Sequence, residues 1–178
     1  MKSMPEDYDY QHLKDAIAEI PDFPKKGVLF RDVTPLLNQK FRETIDAMLG
    51  LFTQLELNGI DSFAGIDARG FIFASALASR AEKNFVMIRK GGKLPPPTIS
   101  RNFSLEYGDD SIEMKSGTDG VAIIDDVLAT GGTMHAAADL CLEAGYEVKA
   151  FATLINLAFL NDFSWNGMKA RSVFEYAE

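Results

Sequence analysis

Short apolar runs alternate with helical patterns along this chain, and this alternation predicts an α/β fold. An uninterrupted apolar run is typical of a strand that is buried on both faces of a parallel sheet. We predict strands at 62–66, 85–88, 111–114, 121–125, 148–156 and 173–176. Apolar residues recur at helical spacing between them, and we predict helices at 13–20, 40–58, 71–81 and 134–144. The chain is expected to form an open, mainly parallel twisted sheet flanked by helices.

Composition limits the class of protein further. The 178 residues are 47% hydrophobic and 25% charged, which predicts one globular domain over residues 1–178. The formal net charge of −8 argues against nucleic acid as a partner. The chain has neither a run of apolar residues long enough to span a membrane nor an export leader, so we expect a cytoplasmic protein with no membrane association. Cys141 is the only cysteine, so no intrachain disulfide can form.

The segment 120–133, GVAIIDDVLATGGT, carries the clearest chemistry. A buried strand is followed by Asp125 and Asp126 and then by a turn of small residues, Ala129–Thr133, that opens a helix. Glycine backbone amides at a helix N-terminus form an anion site. The turn has no lysine, so it is not the loop that binds nucleotide triphosphates. Carboxylates beside a phosphate site would bind sugar hydroxyls or a metal shared with the ligand, and a phosphorylated ribose offers both.

An anionic ligand needs cations, and two segments can supply them. Arg69 follows the strand at 62–66, where Gly70 permits close approach. The segment 89–108 contains Arg89, Lys90, Lys93 and Arg101 between glycines and prolines. A loop of this length inside a compact domain is either functional or disordered, and its cations favour a hinged lid.

Several of these strings resemble a known family. IIDDVLATGGT resembles the phosphoribosyl-pyrophosphate (PRPP) motif of type I phosphoribosyltransferases. The strings PKKGVLFRDVTPLL, GIDARGF, RKGGKLP and SLEYG are similar to motifs of the adenine phosphoribosyltransferase family. The resemblance extends from about residue 8 to residue 176. One departure is Phe103, where the family commonly has tyrosine, and this places in doubt any hydroxyl role there.

The resemblance implies a fold, a reaction and roles for individual residues. It implies a type I phosphoribosyltransferase fold with a small N-terminal segment over the base and a flexible lid, and the transfer of phosphoribose from PRPP to adenine, giving AMP and pyrophosphate with Mg²⁺. The implied catalytic residues are Glu106, Asp125 and Asp126, with Glu106 as the proton relay. The 5′-phosphate would be bound by Ala129, Thr130, Gly131, Gly132 and Thr133. Pyrophosphate is assigned to Arg69, Arg89 and Lys90, adenine to Leu29, Phe30 and Arg31, and the lid to Lys93 and Tyr107. The metal would have no direct protein ligand and would be carried mainly by PRPP.

The same family implies a homodimer, from which Arg89 could act on the neighbouring subunit. Two alternatives stay open at this point. The first is an enzyme of the same fold that acts on another base, such as orotate or xanthine. The second is a PRPP-binding regulator without catalysis, for which the chain shows no basic surface. An unrelated nucleotide-binding module would leave the cations of 89–108 unexplained.

Overall fold

The fold is seen in a computed structural model that describes residues 10–105 and 108–178. Its helices are α1 (Gln11–Lys14), α2 (Thr34–Leu49), α3 (Gln54–Gly59), α4 (Gly70–Ala81) and α5 (Gly132–Glu143), with a 3₁₀ turn at Ala158–Leu160. Its strands are β1 (Ala18–Pro21), β2 (Leu29–Asp32), β3 (Ser62–Ile66), β4 (Asn84–Lys90), β5 (Ile99–Leu105), β6 (Gly108–Met114), β7 (Gly120–Leu128), β8 (Glu147–Leu157) and β9 (Ala170–Tyr176). Within the described residues, no helix is both long and apolar enough to cross a membrane.

The central sheet has seven strands in the order β5-β6-β4-β3-β7-β8-β9. Five neighbouring strands of this sheet are parallel, namely β4, β3, β7, β8 and β9. Strand β6 pairs antiparallel with both β4 and β5. The predicted open, mainly parallel sheet is therefore confirmed. All five residues of β3 are buried, as the uninterrupted apolar run predicts.

The core consists of two apolar clusters, one on each face of the sheet. Phe63 and Ile124 belong to the first cluster, while their neighbours Ala64 and Ile123 belong to the second. Successive strand residues point to opposite faces, so a strand covered on both sides must be apolar at every position. The first cluster packs against α2, α3 and α4, and the second packs against α5. The carboxyl ends of β3, β7 and β8 are left as the open edge of the sheet.

The first predicted helix is wrong after Lys14. The structure has α1 only over Gln11–Lys14 and strand β1 over Ala18–Pro21. Strand β1 pairs antiparallel with β2, and we call these two strands and their connection (residues 18–32) the N-terminal hairpin. Ile20, which helical spacing places in the core, is 41% exposed. Pairing with a distant strand overrides the local pattern here, and Pro21 suits an edge strand because it has no N–H to donate.

The predicted helix 40–58 is two helices. Helix α2 ends at Leu49, and α3 begins after Thr53, whose hydroxyl accepts from the N–H of Glu56 while the Glu56 carboxylate accepts from the N–H of Thr53. This reciprocal arrangement is a capping box, and it starts a new helix. The apolar spacing continues through the break, which is why the pattern alone suggests one helix.

The loop expected over 89–108 is shorter than predicted, because strands occupy much of this segment. Arg89 and Lys90 complete β4, residues 99–105 form β5, and β6 begins at Gly108. Among the described residues of this segment, 91–98 are the irregular part. The Glu113 carboxylate holds this part, since its Oε1 accepts from the N–H groups of Lys93 and Leu94, both at 2.6 Å.

Candidate active site

A pocket of about 510 Å³ opens at the carboxyl ends of the parallel strands, beneath the N-terminal hairpin. This is the edge at which open α/β sheets bind ligands. The pocket brings together nine of the residues predicted for the site: Leu29, Phe30, Arg31, Arg69, Lys90, Asp125, Asp126, Ala129 and Thr133. These residues come from separate parts of the chain, so the fold assembles the chemistry that the motifs suggested.

The two acids follow the buried run of β7 and interact with each other and with Arg69. The N–H of Asp126 donates to Oδ1 of Asp125 at 2.9 Å. Nε of Arg69 lies 2.7 Å from Oδ2 of Asp126, whose side chain is buried. The distance is that of an ion pair but the angle is not that of a hydrogen bond, so this oxygen has no hydrogen-bond donor within residues 10–105 and 108–178. This oxygen is buried and its charge is paired with the Arg69 guanidinium.

Burial raises the pKa of both carboxyl groups. The pKa of Asp125 is raised well above its ordinary value, first by burial and then by the negative charge of Asp126. Burial also raises the pKa of Asp126, although the Arg69 guanidinium opposes this rise. A buried acid pair with one neighbouring cation is typical of a functional site, because packing alone would favour apolar residues there.

Gly70, the first residue of α4, allows this geometry. A Cβ at Gly70 would lie 2.8 Å from the carbonyl oxygen of Ile124 and 3.0 Å from Oδ1 of Asp125. Only a residue without a side chain lets the start of α4 pack directly on β7. The same contact places Arg69, which precedes α4, beside the acid pair.

The turn after β7 leads into α5 through Gly131, whose φ of +86° is in the left-handed region that favours glycine. Ala129 and Thr133 line the pocket, whereas Gly131 is buried against Phe163 and Thr130 is exposed. The Asn161 side chain fixes the turn from behind, since its Nδ2 donates to the carbonyl oxygen of Ala129 at 2.7 Å. The role of Asn161 is not predictable from sequence, because nothing local connects it to the turn.

The N-terminal hairpin places one aromatic ring over the pocket. Phe30 lines the pocket and packs edge-to-face on Phe23, with ring centroids 5.1 Å apart. The Arg69 guanidinium carbon lies 5.5 Å from the centroid of the Phe30 ring. A half-buried ring beside exposed backbone of an edge strand can stack on a flat heterocycle and also bond to its edge.

Lys90 and Arg89 are adjacent but differently placed. Successive residues of β4 face opposite ways, so Lys90 lines the pocket and Arg89 does not. Nε of Arg89 lies 3.3 Å from Oδ2 of Asp67, and its Nη1 donates to the carbonyl oxygen of Lys93 at 3.0 Å. The Lys93 side chain is exposed and does not line the pocket. Gly132 does not line it either.

Arg101 is not available to a ligand, contrary to the expectation that all four cations of 89–108 serve one. Its guanidinium forms ion pairs with Asp139 (2.7 Å) and Glu143 of α5. This arginine therefore ties β5 to α5. Glu106 and Tyr107, the remaining predicted site residues, lie outside the described residues.

The pocket also includes residues that the sequence analysis did not select. Phe103 and Asp110 are partners across the β5–β6 ladder, and both line the pocket. Asp67 lines it as well, and the peptide bond between Asp67 and Ala68 is cis. Asp67 belongs to the GIDARGF string, which was a signal for it. Phe103 stood out only as a departure from the family pattern, and Asp110 has no local signal, because strand pairing brings the two together.

The fold and the pocket together define the class of protein. The chain has a phosphate-type turn, an acid pair and an arginine at the open edge of a mainly parallel sheet. Residues 38–159 match the family model described as the phosphoribosyl transferase domain. The chain belongs to this family, and its relatives narrow the assignment.

The adenine phosphoribosyltransferase of Hydrogenovibrio crunogenus is 51% identical over 168 residues, which are 93% of this chain and 98% of the relative. The crystal structure of the Rhodothermus marinus adenine phosphoribosyltransferase superposes with a TM-score of 0.80 at 39% identity, covering 93% of this chain and 97% of that one. The Saccharomyces cerevisiae enzyme, solved in complex with an imino-altritol bisphosphate and adenine, gives a TM-score of 0.81 at 31% identity, covering 92% and 97%. Within its family, the chain is thus one of the adenine phosphoribosyltransferases.

Proposed function

We propose that this pocket transfers the 5-phosphoribosyl group of PRPP to adenine, giving AMP and pyrophosphate, as a step of purine salvage. One observation carries the proposal: a single pocket is lined by the phosphate-type turn, the acid pair, Arg69 and the ring of Phe30. These groups match the phosphate, the ribose, the leaving group and the base. The adenine specificity of the relatives supports the choice of base.

The 5′-phosphate binds at the turn Ala129–Thr133, at the N-terminus of the twelve-residue helix α5. Asp126 lines the pocket and accepts from the ribose hydroxyls. Asp125 lines the pocket as well and lies against the start of α4 at Gly70. Substitution at the anomeric carbon passes through a state with positive charge on the ribose ring, and two nearby carboxylates stabilise that charge.

Three described cations line the pocket, and of these Arg69 and Lys90 neutralise the pyrophosphate group as it leaves, whereas Arg31 lies on the adenine side. Adenine stacks on Phe30 and bonds to the backbone of Leu29 and Arg31. Glu106 relays the proton of the base when the lid, with Lys93 and Tyr107, covers the site. Lid closure excludes water that would otherwise hydrolyse the activated ribose.

The residues of the pocket fit Mg²⁺ carried by the substrate. Within the described ranges no group of three or more His, Cys, Asp or Glu side chains could hold a metal. Mg²⁺ keeps several waters and would bind mainly through the phosphates of PRPP, so it needs no dedicated set of protein ligands. When bound, the ion neutralises part of the charge of PRPP.

A homodimer is the quaternary state we propose, and an exposed apolar strip supports it. Phe85 and Met87 share one face of β4, Phe71 of α4 packs edge-to-face on Phe85, and the next residue of α4, Ile72, is exposed. The exposed fractions of Phe85, Met87 and Ile72 are 37%, 42% and 40%. Alternation along β4 puts Arg89 on the same face as this strip. A partner covering the strip would meet Arg89, so this cation could act at the neighbouring site. The cytoplasmic location and the single-domain organisation stay predictions.

The central test is a base-specificity assay with PRPP and Mg²⁺. AMP should form from adenine, whereas orotate, xanthine, hypoxanthine and guanine should be consumed poorly. Consumption of another base in preference to adenine would refute the assignment, and absence of turnover with every base would favour a PRPP-binding regulator. Asp126→Ala should lower kcat by about 10²–10³. Turnover of this variant near that of the wild type would remove the acid pair from the ribose site.

A further inference from the structure

Strand β2 carries the three residues assigned to adenine, yet the seven-stranded sheet does not hold it. In the described part of the chain, β1 and β2 pair with each other in a separate sheet. The position of β2 over the pocket must therefore be set by side chains. Arg31 is the buried member of the three, with an exposed fraction of 8%.

The Arg31 side chain extends from β2 to the end of β9. Its guanidinium carbon lies 3.8 Å from the centroid of the Tyr176 ring, and its Nη2 donates to the carbonyl oxygen of Glu178 at 3.3 Å. Nε lies 3.9 Å from Oε1 of Glu19 on the paired strand β1. A guanidinium stacked on a tyrosine face and largely removed from water forms one of the stronger cation–π contacts.

Tyr176 is firmly attached to the main sheet. It is the last residue of β9 and pairs in register with Leu157 of β8, which lines the pocket. The Tyr176 ring also forms a cation–π contact with Lys14 of α1, whose Nζ lies 4.6 Å from the ring centroid. One ring thus connects the sheet edge with β2 and with the short helix that precedes the N-terminal hairpin.

We infer that Tyr176 is a positioning residue for adenine: its ring holds Arg31 and thereby fixes the backbone of β2 at the distance at which it meets the base. Tyr176 itself does not touch the substrate. The inference rests on the proposed adenine site. It goes beyond that proposal by assigning base affinity to a residue of the far edge strand, outside every motif of the sequence.

The test is steady-state kinetics of Tyr176→Leu and Tyr176→Phe with each substrate varied in turn. Tyr176→Leu removes the ring and should raise KM for adenine about 10-fold, with KM for PRPP unchanged within about twofold, because the phosphate turn and acids lie on other elements. Tyr176→Phe keeps the ring face but loses the hydroxyl, which also bonds to Arg31, so it should raise KM for adenine clearly less than Tyr176→Leu does. A merely structural role for Tyr176 would affect both substrates alike.

Two further variants separate the explanations. Tyr146→Leu makes the same substitution at a buried tyrosine just before β8, at the opposite end of the sheet, and should leave both KM values unchanged at temperatures where it is folded. Arg31→Gln removes the cation while leaving Tyr176 in place, so it should raise KM for adenine as Tyr176→Leu is expected to. It therefore also tests the inference if Tyr176→Leu does not fold. The double variant, Tyr176→Leu with Arg31→Gln, should have a KM for adenine no higher than that of the more affected single variant, because both changes break the same contact.

Unchanged KM for adenine in Tyr176→Leu, or in Arg31→Gln where the first variant fails to fold, would overturn the inference. An equal rise in both KM values would also overturn it. A wild-type protein that forms no AMP from adenine would instead refute the proposed function, and the two failures are thereby distinguished.

Discussion

Gly70→Ala tests whether the close packing of α4 on β7 positions the acid pair. The added Cβ would meet the carbonyl oxygen of Ile124 at 2.8 Å, Oδ1 of Asp125 at 3.0 Å and Cα of Asp125 at 3.3 Å. Two of these three atoms are backbone, so the clash cannot be relieved by turning a flexible side chain. Either α4 or β7 must shift, and Asp125 lies at the contact.

The magnitude follows from two opposing effects. Overpacking of a well-packed site lowers the free energy of unfolding by about 1–3 kcal/mol. Replacing glycine by alanine raises the free energy of unfolding by about 0.4–1 kcal/mol, because it lowers the conformational entropy of the unfolded chain. The net loss is about 1–2 kcal/mol, which for a chain of this length lowers Tm by roughly 2–8 °C. A shift of about 1 Å at Asp125 should lower kcat/KM by up to 10²-fold.

Thermal unfolding and steady-state kinetics of AMP formation check this prediction. Gly59→Ala is the matched control, because a Cβ at Gly59 meets nothing within 4 Å and its φ is not positive. The control should be as stable as the wild type or slightly more stable, with unchanged kinetics. The reasoning would be refuted if Gly70→Ala kept the wild-type kcat/KM and a Tm no lower than that of the control.

Three further predictions concern charges. Lys90→Ala should raise KM for PRPP about 10-fold and leave KM for adenine and Tm unchanged, as steady-state kinetics and thermal melts would show. Hydrogen bonds from the N–H groups of Leu94 and Lys93 lower the pKa of Glu113, so its ionised form stabilises the fold at neutral pH and this contribution is lost as the pH falls through the lowered pKa. Glu113→Gln should therefore be less stable than the wild type at neutral pH, with a difference that shrinks in acid titrations of unfolding. Asp125→Asn should raise Tm of the unliganded protein at neutral pH while lowering kcat, and melts near pH 3 should show no difference.

The strands of the sheet centre could be predicted because burial on both faces leaves a signal at every residue. Strand β3 has the predicted bounds, and β7 and β8 contain the predicted runs. Strand β1 was missed, because its pairing with β2 is a tertiary contact that no local period reveals. The break between α2 and α3 was missed for a different reason. The Thr53 and Glu56 capping signal is present in the sequence but is weaker than the continuing apolar spacing.

The site was predictable where one motif carries both the fold and the chemistry. Asp125, Asp126 and Arg69 follow buried strands, and the carboxyl ends of parallel strands meet at one edge. The cations of 89–108 were harder to assign. Alternation along β4 separates Lys90 from Arg89, whereas the pairing of Arg101 with Asp139 depends on the packing of β5 against α5. Sequence position indicates that a cation is near the site but not which way its side chain points.

In the proposed function, the acid pair stabilises the reaction at the expense of the fold. A carboxyl group whose pKa rises on folding supports the folded state fully below its ordinary pKa of about 4, and this support is lost as the pH rises through the raised pKa. Burial raises the pKa of Asp125 and of Asp126, so at neutral pH both oppose folding, and Arg69 only partly compensates Asp126. Two apolar residues would pack better at this edge. The proposed function accounts for the pair: ribose hydroxyls and the positive charge that would develop on the ring favour the ionised carboxylates, which burial disfavours.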